Sequence, residues 1–340
     1  MMNPLSSGRY VFIAWCVFLL VGLLAGTEII ARVRHFVPFR MRHIDLREPT
    51  MFKPDPVLGW VPKAGKYLSP SYTPDGAPIQ YTFFEDGSRA TSGNASFAPY
   101  QIVLLGCSYI QGWAISDPET LGWKLQAAFP FLKAGNFGVG GYGTYQSLLC
   151  LRRLFNRGEK PLVVLYGFNV FHEDRNIAPI LWLKHLAEFS KRGHAAVPYC
   201  SLDQKGALVE HPPIRWPRIA LQKYFAFPQF LTAMYYRFKT GENERARDKR
   251  KITEQLLLEM RALAHQHNTK FVVVMFPGLP EEVRSYAGFF RAHKIETLDA
   301  SAVFTKEDVV PGEGHPNGRA NLRWAGKIIP YLTNDLKAVP

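Results

Sequence analysis

Cysteine is scarce in this 340-residue chain, with only Cys16, Cys107, Cys150 and Cys200. Their spacing contains no zinc-ligand pattern, so structural zinc is not what organises the fold. Cys16 falls in an apolar N-terminal run and Cys107 abuts Ser108. Only Cys150 and Cys200 are left to form a disulfide, which export would permit; two buried free thiols are the other reading. Acidic residues are also in short supply, 28 against 41 Lys and Arg, for a formal charge of +13. Such a surface favours anionic lipid headgroups, polyanionic glycans or nucleic acid. Zinc-finger spacing, a helix-turn-helix signature and an RNA-binding aromatic motif are all absent, which counts against nucleic acid. No internal repeat appears.

Apolar residues make up 47% of the chain, enough for a substantial core. The length suits one large α/β domain with additions as well as two domains. Residues 10–26, YVFIAWCVFLLVGLLAG, run 17 long without a charge, the lower end of what spans a bilayer as a helix. Signal cleavage after Ala25 or Gly26 would put Leu23 or Leu24 at the −3 position, where a small residue is needed, so an uncleaved anchor is expected. Arg9 alone precedes the run, whereas Arg32, Arg34, Arg40 and Arg42 follow it. Taken by itself, the positive-inside rule puts the bulk of the chain in the cytoplasm.

After a charged connector at 34–50, residues 51–100 are rich in Pro, Gly, Tyr and Thr. Turn signals at Pro74-Asp-Gly76 and Asp86-Gly87 and a β-like piece at 79–84 predict a small β-rich lead-in. Asn94-Ala-Ser96 fits an N-glycosylation sequon. Strands and helices then alternate. Strands are expected at 102–105, 133–137, 162–166, 271–275 and 295–298. Helices are expected at 120–128, 145–156, 253–267, 281–293 and 320–336, the last interrupted at Pro330. The 120–128 helix is introduced by a capping-box pattern, Ser116-Asp-Pro-Glu119. Residues 177–250 break the rhythm as an insertion expected to cover the rim of the site, and its charge run 239–251 reads as a solvated loop or helix face. Continuous apolar strands between helices predict a three-layer α/β/α sandwich with a mainly parallel sheet.

Ligands in such sheets bind beyond the carboxyl ends of the strands, and three strand ends here carry polar residues that a core does not need. The first is Gly106-Cys-Ser108, the second the glycine-dense turn 136–144, NFGVGGYGT, and the third Tyr166-Gly-Phe-Asn169. Before the last helix, Gly312-Glu-Gly-His-Pro-Asn317 adds a histidine in a loop.

In this order the motifs resemble the SGNH hydrolase superfamily, also called GDSL hydrolases, over roughly residues 101–336. The resemblance implies a flavodoxin-like hydrolase domain at 101–340, carrying the insertion, after an anchor at 1–33 and a connector and lead-in at 34–100. It implies Ser108 as nucleophile and His315 as base. The N–H groups of Ser108 and Gly141 and the side-chain amide of Asn169 would be the oxyanion donors, with no metal and no cofactor. The anchor and the Asp55-Pro-Val-Leu-Gly-Trp60 stretch look like a membrane-anchored bacterial subgroup associated with cell-surface polysaccharides.

The departures concern polar partners. Cys107 stands where the family has aspartate, and Val170 follows Asn169. Gly312 occupies the position of the triad acid, three before the histidine. Glu313 is the nearest carboxylate, expected to orient His315 with its longer arm, and Asp308 is a more distant candidate. His172 is a candidate pocket residue, while Glu173, Asp174 and Arg175 read equally as a solvated loop. Arg319 and Arg323 could meet an acidic glycan or simply be surface arginines. Trp113, Trp123 and Trp324 suit a sugar platform or core packing.

The activity implied is a serine esterase that removes an acyl group, acetyl first, from a cell-surface glycan or related ester. Transfer of the same acyl group to a sugar hydroxyl would make it an O-acyltransferase. A reading from another class is a glycan-binding component of a polysaccharide assembly machine that no longer turns over, favoured by Gly312 and Cys107. Expected partners are the acylated glycan, the membrane and polysaccharide biosynthesis proteins, and not nucleic acid. The expected location is the inner membrane, with the domain facing the periplasm.

Overall fold

Nothing in residues 4–33 breaks a helix once it has started, since no proline follows Pro4 and glycines come singly. In a computed structural model of the chain this stretch is one helix, α1, Pro4–Val33. Of it, Gly8–Val33, 26 residues, makes about 39 Å of helix. That is long and apolar enough to cross a membrane, whose hydrocarbon core is about 30 Å. The structure describes residues 4–40, 51–73, 75–93, 99–189, 195–217, 219–302 and 304–336. The Asn94-Ala-Ser96 triplet and Pro74 lie outside these.

Two antiparallel hairpins follow α1: β1 (Phe52–Asp55) with β2 (Gly59–Pro62), and β3 (Gly65–Ser69) with β4 (Ile79–Phe83). Alternation begins with β5 (Ile102–Gly106), α2 (Ser108–Gln111), α3 (Leu121–Ala128), β6 (Ala134–Asn136), α4 (Thr144–Asn156) and β7 (Val163–Phe168). Next come α5 (His172–Asn176), α6 (Ile180–Phe189) and an antiparallel hairpin of β8 (Val197–Leu202) and β9 (Leu208–Ile214). The chain ends with α7 (Phe227–Thr240), α8 (Glu242–Gln266), β10 (Lys270–Met275), α9 (Pro280–Ala292), β11 (Glu296–Asp299) and α10 (Gly318–Leu336).

Strands β5, β6, β7, β10 and β11 form one parallel sheet in the order β11-β10-β7-β5-β6. Alternate side chains feed two apolar layers. Val103, Leu105, Val164 and Val273 pack with α4 and α8, whereas Ile102, Leu104, Leu165 and Val272 pack with α3 and α10. The result is a three-layer α/β/α sandwich in the doubly wound order. The strand order reverses between β5 and β7, which opens a crevice at their carboxyl ends. Ser108 and Asn169 stand there, two residues beyond the paired rung Gly106 and Gly167.

Several boundaries differ from the sequence reading. The charge run 239–251 is helical, and α8 starts at Glu242 rather than 253. Its first turns bury charged side chains, Glu242 and Arg245, where an amphipathic helix has apolar ones, so no apolar periodicity marks them before Ile252. Pro330 does not interrupt α10. It is exposed, so the carbonyl of Gly326, which it deprives of a donor, can turn to water. The capping-box contact forms, with the Glu119 carboxylate accepting the Ser116 N–H at 2.9 Å, but it opens a 3₁₀ turn, Asp117–Glu119. Helix α3 starts afterwards on its own cap, the Thr120 hydroxyl accepting from Trp123 N–H at 3.2 Å. Cys150 and Cys200 are buried free thiols, not a disulfide. Of the insertion, Trp182 on α6 approaches the site turn, whereas β8 packs on α4, α5 and α8, and α7 packs on α1.

Candidate active site

Strand β5 can deliver a serine into the crevice only through a glycine. Gly106 has φ +149, and a Cβ there would lie 2.8 Å from Ile110 Cγ1 and 2.9 Å from the Gly167 carbonyl oxygen. The chain turns at once into α2, with Cys107 as its N-cap and Ser108 as its first residue. Cys107 is fully buried. A small, weakly polar thiol beside the Arg175 guanidinium is cheaper to bury there than a carboxylate would be.

One turn of helix is not stable by itself, and α2 is held from three sides. Arg89, in the lead-in between β4 and β5, donates to the carbonyls of Gln111 at 2.8 Å, Gly112 at 2.6 Å and Ile115 at 2.7 Å. Asn136, at the end of β6, donates to the Ile110 carbonyl at 2.9 Å and accepts Gly138 N–H at 3.0 Å. Gln111 accepts Gly140 N–H at 2.8 Å, so the glycine turn is tied to the helix that carries Ser108. From the other side the Trp60 indole donates to the Gly140 carbonyl at 3.2 Å, and Tyr142 bonds back to the Trp60 carbonyl. Gly141 has φ +86, and a Cβ on it would come within 2.9 Å of the Trp60 ring.

These clamps leave backbone donors unspent. Among the described residues no backbone carbonyl accepts from the N–H of Ser108 or of Gly141. Asn169, buried just past β7, spends one amide hydrogen on the Pro277 carbonyl at 3.3 Å, leaving the second.

The histidine loop comes from the other end of the chain. Gly312 at φ +75 and Gly314 at φ +88 flank Glu313. Two left-handed residues fold the loop back so that Glu313 faces the histidine two positions on. His315 Nδ1 lies 2.7 Å from Glu313 Oε1, and His315 Nε2 lies 2.9 Å from Ser108 Oγ. Glu313 Oε1 also accepts the Trp113 indole N–H at 3.0 Å, and Oε2 accepts the backbone N–H of His315 at 2.9 Å. Burial alone would raise this carboxyl. The hydrogen bonds and charge of His315, with the Trp113 bond, outweigh burial and hold it below the usual carboxylate value. Tyr109 and Trp113 flank the imidazole, with ring centroids 6.0 and 6.3 Å away.

Asp308, the alternative acid, does not face the histidine. It accepts Thr305 N–H at 3.0 Å and Arg323 at 2.6 Å, with Arg319 3.6 Å away. Its side chain is inaccessible because these two arginines lie over it. Arg319 and Arg323, on the first turns of α10, are thus engaged by acids of the loop before it, Arg319 also pairing with Glu307. The Thr305 N–H above all, with Arg323, lowers Asp308 to about 2 from an ordinary 3.8. A depressed carboxyl contributes stability that is complete above its unfolded value and lost as pH falls through the folded one. Asp308→Asn should therefore lower the thermal midpoint at neutral pH, and the gap to the parent should close as pH falls from about 4 to about 2. A constant gap across that window would show that the carboxylate charge is not responsible.

His172 does not line an open pocket. It is fully buried under the site, with Nδ1 2.9 Å from the Tyr166 hydroxyl. Burial, and secondarily Arg175, hold its imidazole well below the ordinary value. Arg175 is not solvated loop either: it stacks on Phe171 and Trp182, 4.2 and 5.1 Å from their ring centroids, and donates to the Tyr142 carbonyl at 3.0 Å. Glu173 is buried against the Tyr286 hydroxyl at 2.8 Å. Trp324 is core, 4.3 Å from Phe276, and Trp113 is half-buried on Glu313. Arg89 and Gln111 escaped the sequence reading. Gln111, one helical turn after Ser108, had a spacing signal; Arg89 had none.

No protein-family model matches the sequence, and no curated protein matches it. In fold the chain is similar to GDSL-family lipolytic proteins. The crystal structure of TesA aligns over 68% of this chain and 97% of its own, at 13% identity and a TM-score of 0.41. A member of the lipolytic protein G-D-S-L family from Veillonella parvula aligns over 68% and 97%, at 12% identity and 0.39. A GDSL-like lipase from Bacteroides thetaiotaomicron aligns over 72% and 94%, at 12% identity and 0.37. Likenesses this distant carry no functional weight, and the chemistry rests on the chain's own geometry.

Proposed function

We propose that the protein is a serine ester hydrolase working through an acyl-serine intermediate, with Ser108, His315 and Glu313 as its relay. The observation that carries this is the unbroken chain from Ser108 Oγ through both ring nitrogens of His315 to Glu313, at 2.9 and 2.7 Å. These groups lie 207 and two residues apart in sequence, and a core without this chemistry has no use for them together. Glu313 holds the Nδ1–H tautomer, leaving Nε2 to take the serine proton as Oγ attacks the ester carbonyl. The oxyanion forms facing the N–H groups of Ser108 and Gly141 and the free amide hydrogen of Asn169, each worth about 2.7–4 kcal/mol in the barrier. His315 then passes its proton to the leaving alkoxide, and water repeats the sequence on the acyl-serine.

A complete relay supports an enzyme over a binding module that has lost turnover, since Glu313 fills the role that Gly312 left vacant. The basic surface and the membrane-length helix favour an anionic or acylated glycan at a cell surface, with acetyl as the acyl group. The test is a fluorophosphonate probe on the full chain in detergent. The modified peptide should carry Ser108, and Ser108→Ala should not label. A folded parent that resists the probe would sink the enzyme reading.

The reading also places the domain on the periplasmic side of an inner membrane. Protease added to intact spheroplasts should then digest it. Protection until the membrane is lysed would put the domain in the cytoplasm, as the arginines that follow the apolar run would have it.

A further inference from the structure

The domain does not hang from α1 on a free tether. The Glu28 carboxylate, still on α1, accepts the backbone N–H of Ala226 at 2.9 Å and of Phe227 at 2.9 Å, capping the start of α7. Phe36 packs edge-on against Phe230 at 5.5 Å, and the Gln229 amide donates to the Val37 carbonyl at 2.6 Å. Eighteen uncharged residues separate Arg9 from Glu28, about 27 Å of helix at 1.5 Å per residue, close to the thickness of a bilayer core. Glu28 therefore sits at the edge of the hydrocarbon if α1 spans, and the start of α7 is held at headgroup level.

Beside that point lies an exposed apolar surface. Leu221, Tyr224 and Phe225, just before the capped residues, are 51%, 70% and 43% exposed. Along α7, Leu231, Tyr235 and Phe238, at i, i+4 and i+7, are 51%, 57% and 91% exposed, an outward stripe opposite the buried Gln229, Thr232 and Ala233. Basic residues accompany it: Lys223 and Lys239 are exposed, Lys239 with its ammonium 5.4 Å from the Tyr235 ring centroid, and Arg34 is exposed just after the end of α1. An exposed apolar and aromatic stripe with Lys239 on the same helix and Lys223 and Arg34 near its start matches an interfacial membrane segment, apolar side in the acyl boundary and cations among anionic headgroups.

We propose that residues 221–225 and the exposed stripe of α7 lie in the interfacial layer of the bilayer that α1 crosses, so that the domain rests on the membrane surface. The proposal rests on α1 being a membrane span. A second copy of the chain on this face is the competing occupant, excluded if lipid is found there.

The test uses the full chain in nanodiscs of phosphatidylethanolamine and phosphatidylglycerol. Bimane is attached at Tyr224→Cys or Phe238→Cys in a Cys16→Ser background, and lipids brominated near the glycerol boundary serve as quencher. Both positions should lose most of their emission. Phe131→Cys, 98% exposed on the α3 side of the sheet, should lose none. Native Cys16, the exposed thiol within α1, labelled in the parent and probed with lipids brominated deep in the acyl chain, reports the span separately. Quenching at Cys16 without quenching at both 224 and 238 overturns the docked surface and leaves the anchor. No quenching at Cys16 overturns the span and the docked surface together.

Discussion

Glu313→Gln should lower kcat by about 10³–10⁴-fold with little change in KM, as removal of a triad carboxylate does when the tautomer is lost. All three neighbours of this carboxylate are donors: the imidazole Nδ1–H and the Trp113 indole on one oxygen, the His315 backbone N–H on the other. Glutamine brings an NH₂ to a place where each of these neighbours now donates, so either orientation changes the site. Turned towards the ring, it selects the tautomer with hydrogen on Nε2, which cannot take the Ser108 proton. Turned towards the backbone, it opposes the His315 N–H and loosens the loop. The loss falls on kcat because the interaction strengthens only as the imidazolium forms. Steady-state hydrolysis of an activated acetyl ester, with circular dichroism to verify the fold, measures it. A kcat within tenfold of the parent would leave a serine-histidine dyad as the working unit.

The acid shows how much of the site the sequence carried. Ser108, Gly141, Asn169 and His315 stood out as candidates because each sits in a short motif at a strand or loop end. The structure brings Ser108 and His315 to 2.9 Å. Glu313 was legible only as the nearest carboxylate. What brings it to the imidazole is the pair of left-handed glycines around it, a backbone effect that counting positions misses. The longer arm of glutamate was the only reason the sequence offered for the contact. His172 went the other way: its position after Asn169 suggested a pocket, but its side chain turns into the core, towards Tyr166.

Fold was legible wherever residues alternate or run apolar, which is why the five sheet strands lie close to their expected places. It was less legible where charge conceals a helix, as at the start of α8, and where a side chain meets partners far away in sequence. Trp60 supports the glycine turn from 80 residues away. Nothing local distinguishes that tryptophan from any other buried ring.

Arg89 is the extreme case, and Arg89→Met should cost about 3–5 kcal/mol, the usual penalty for leaving one member of a buried ion pair behind. For a domain whose total stability is on the order of 5–15 kcal/mol, the thermal midpoint should fall by roughly 10 °C. The guanidinium is inaccessible to solvent. It donates to Asp117 at 2.8 Å, to the carbonyls of Gln111, Gly112 and Ile115, and to that of Gln80 at 3.1 Å. Two contributions are mixed here, the ion pair and the carbonyl clamp at the end of α2, and the double variant Arg89→Met/Asp117→Leu separates them. If the ion pair dominates, removing both charges should restore most of the midpoint, since buried pairs are often replaceable by apolar groups. If the clamp dominates, the carbonyls remain without donors and the double variant stays as unstable as the single. The geometry favours the clamp, because four of the five bonds go to carbonyls. Full recovery in the double variant would show instead that Asp117 was the partner that mattered, and that α2 holds Ser108 in place without Arg89.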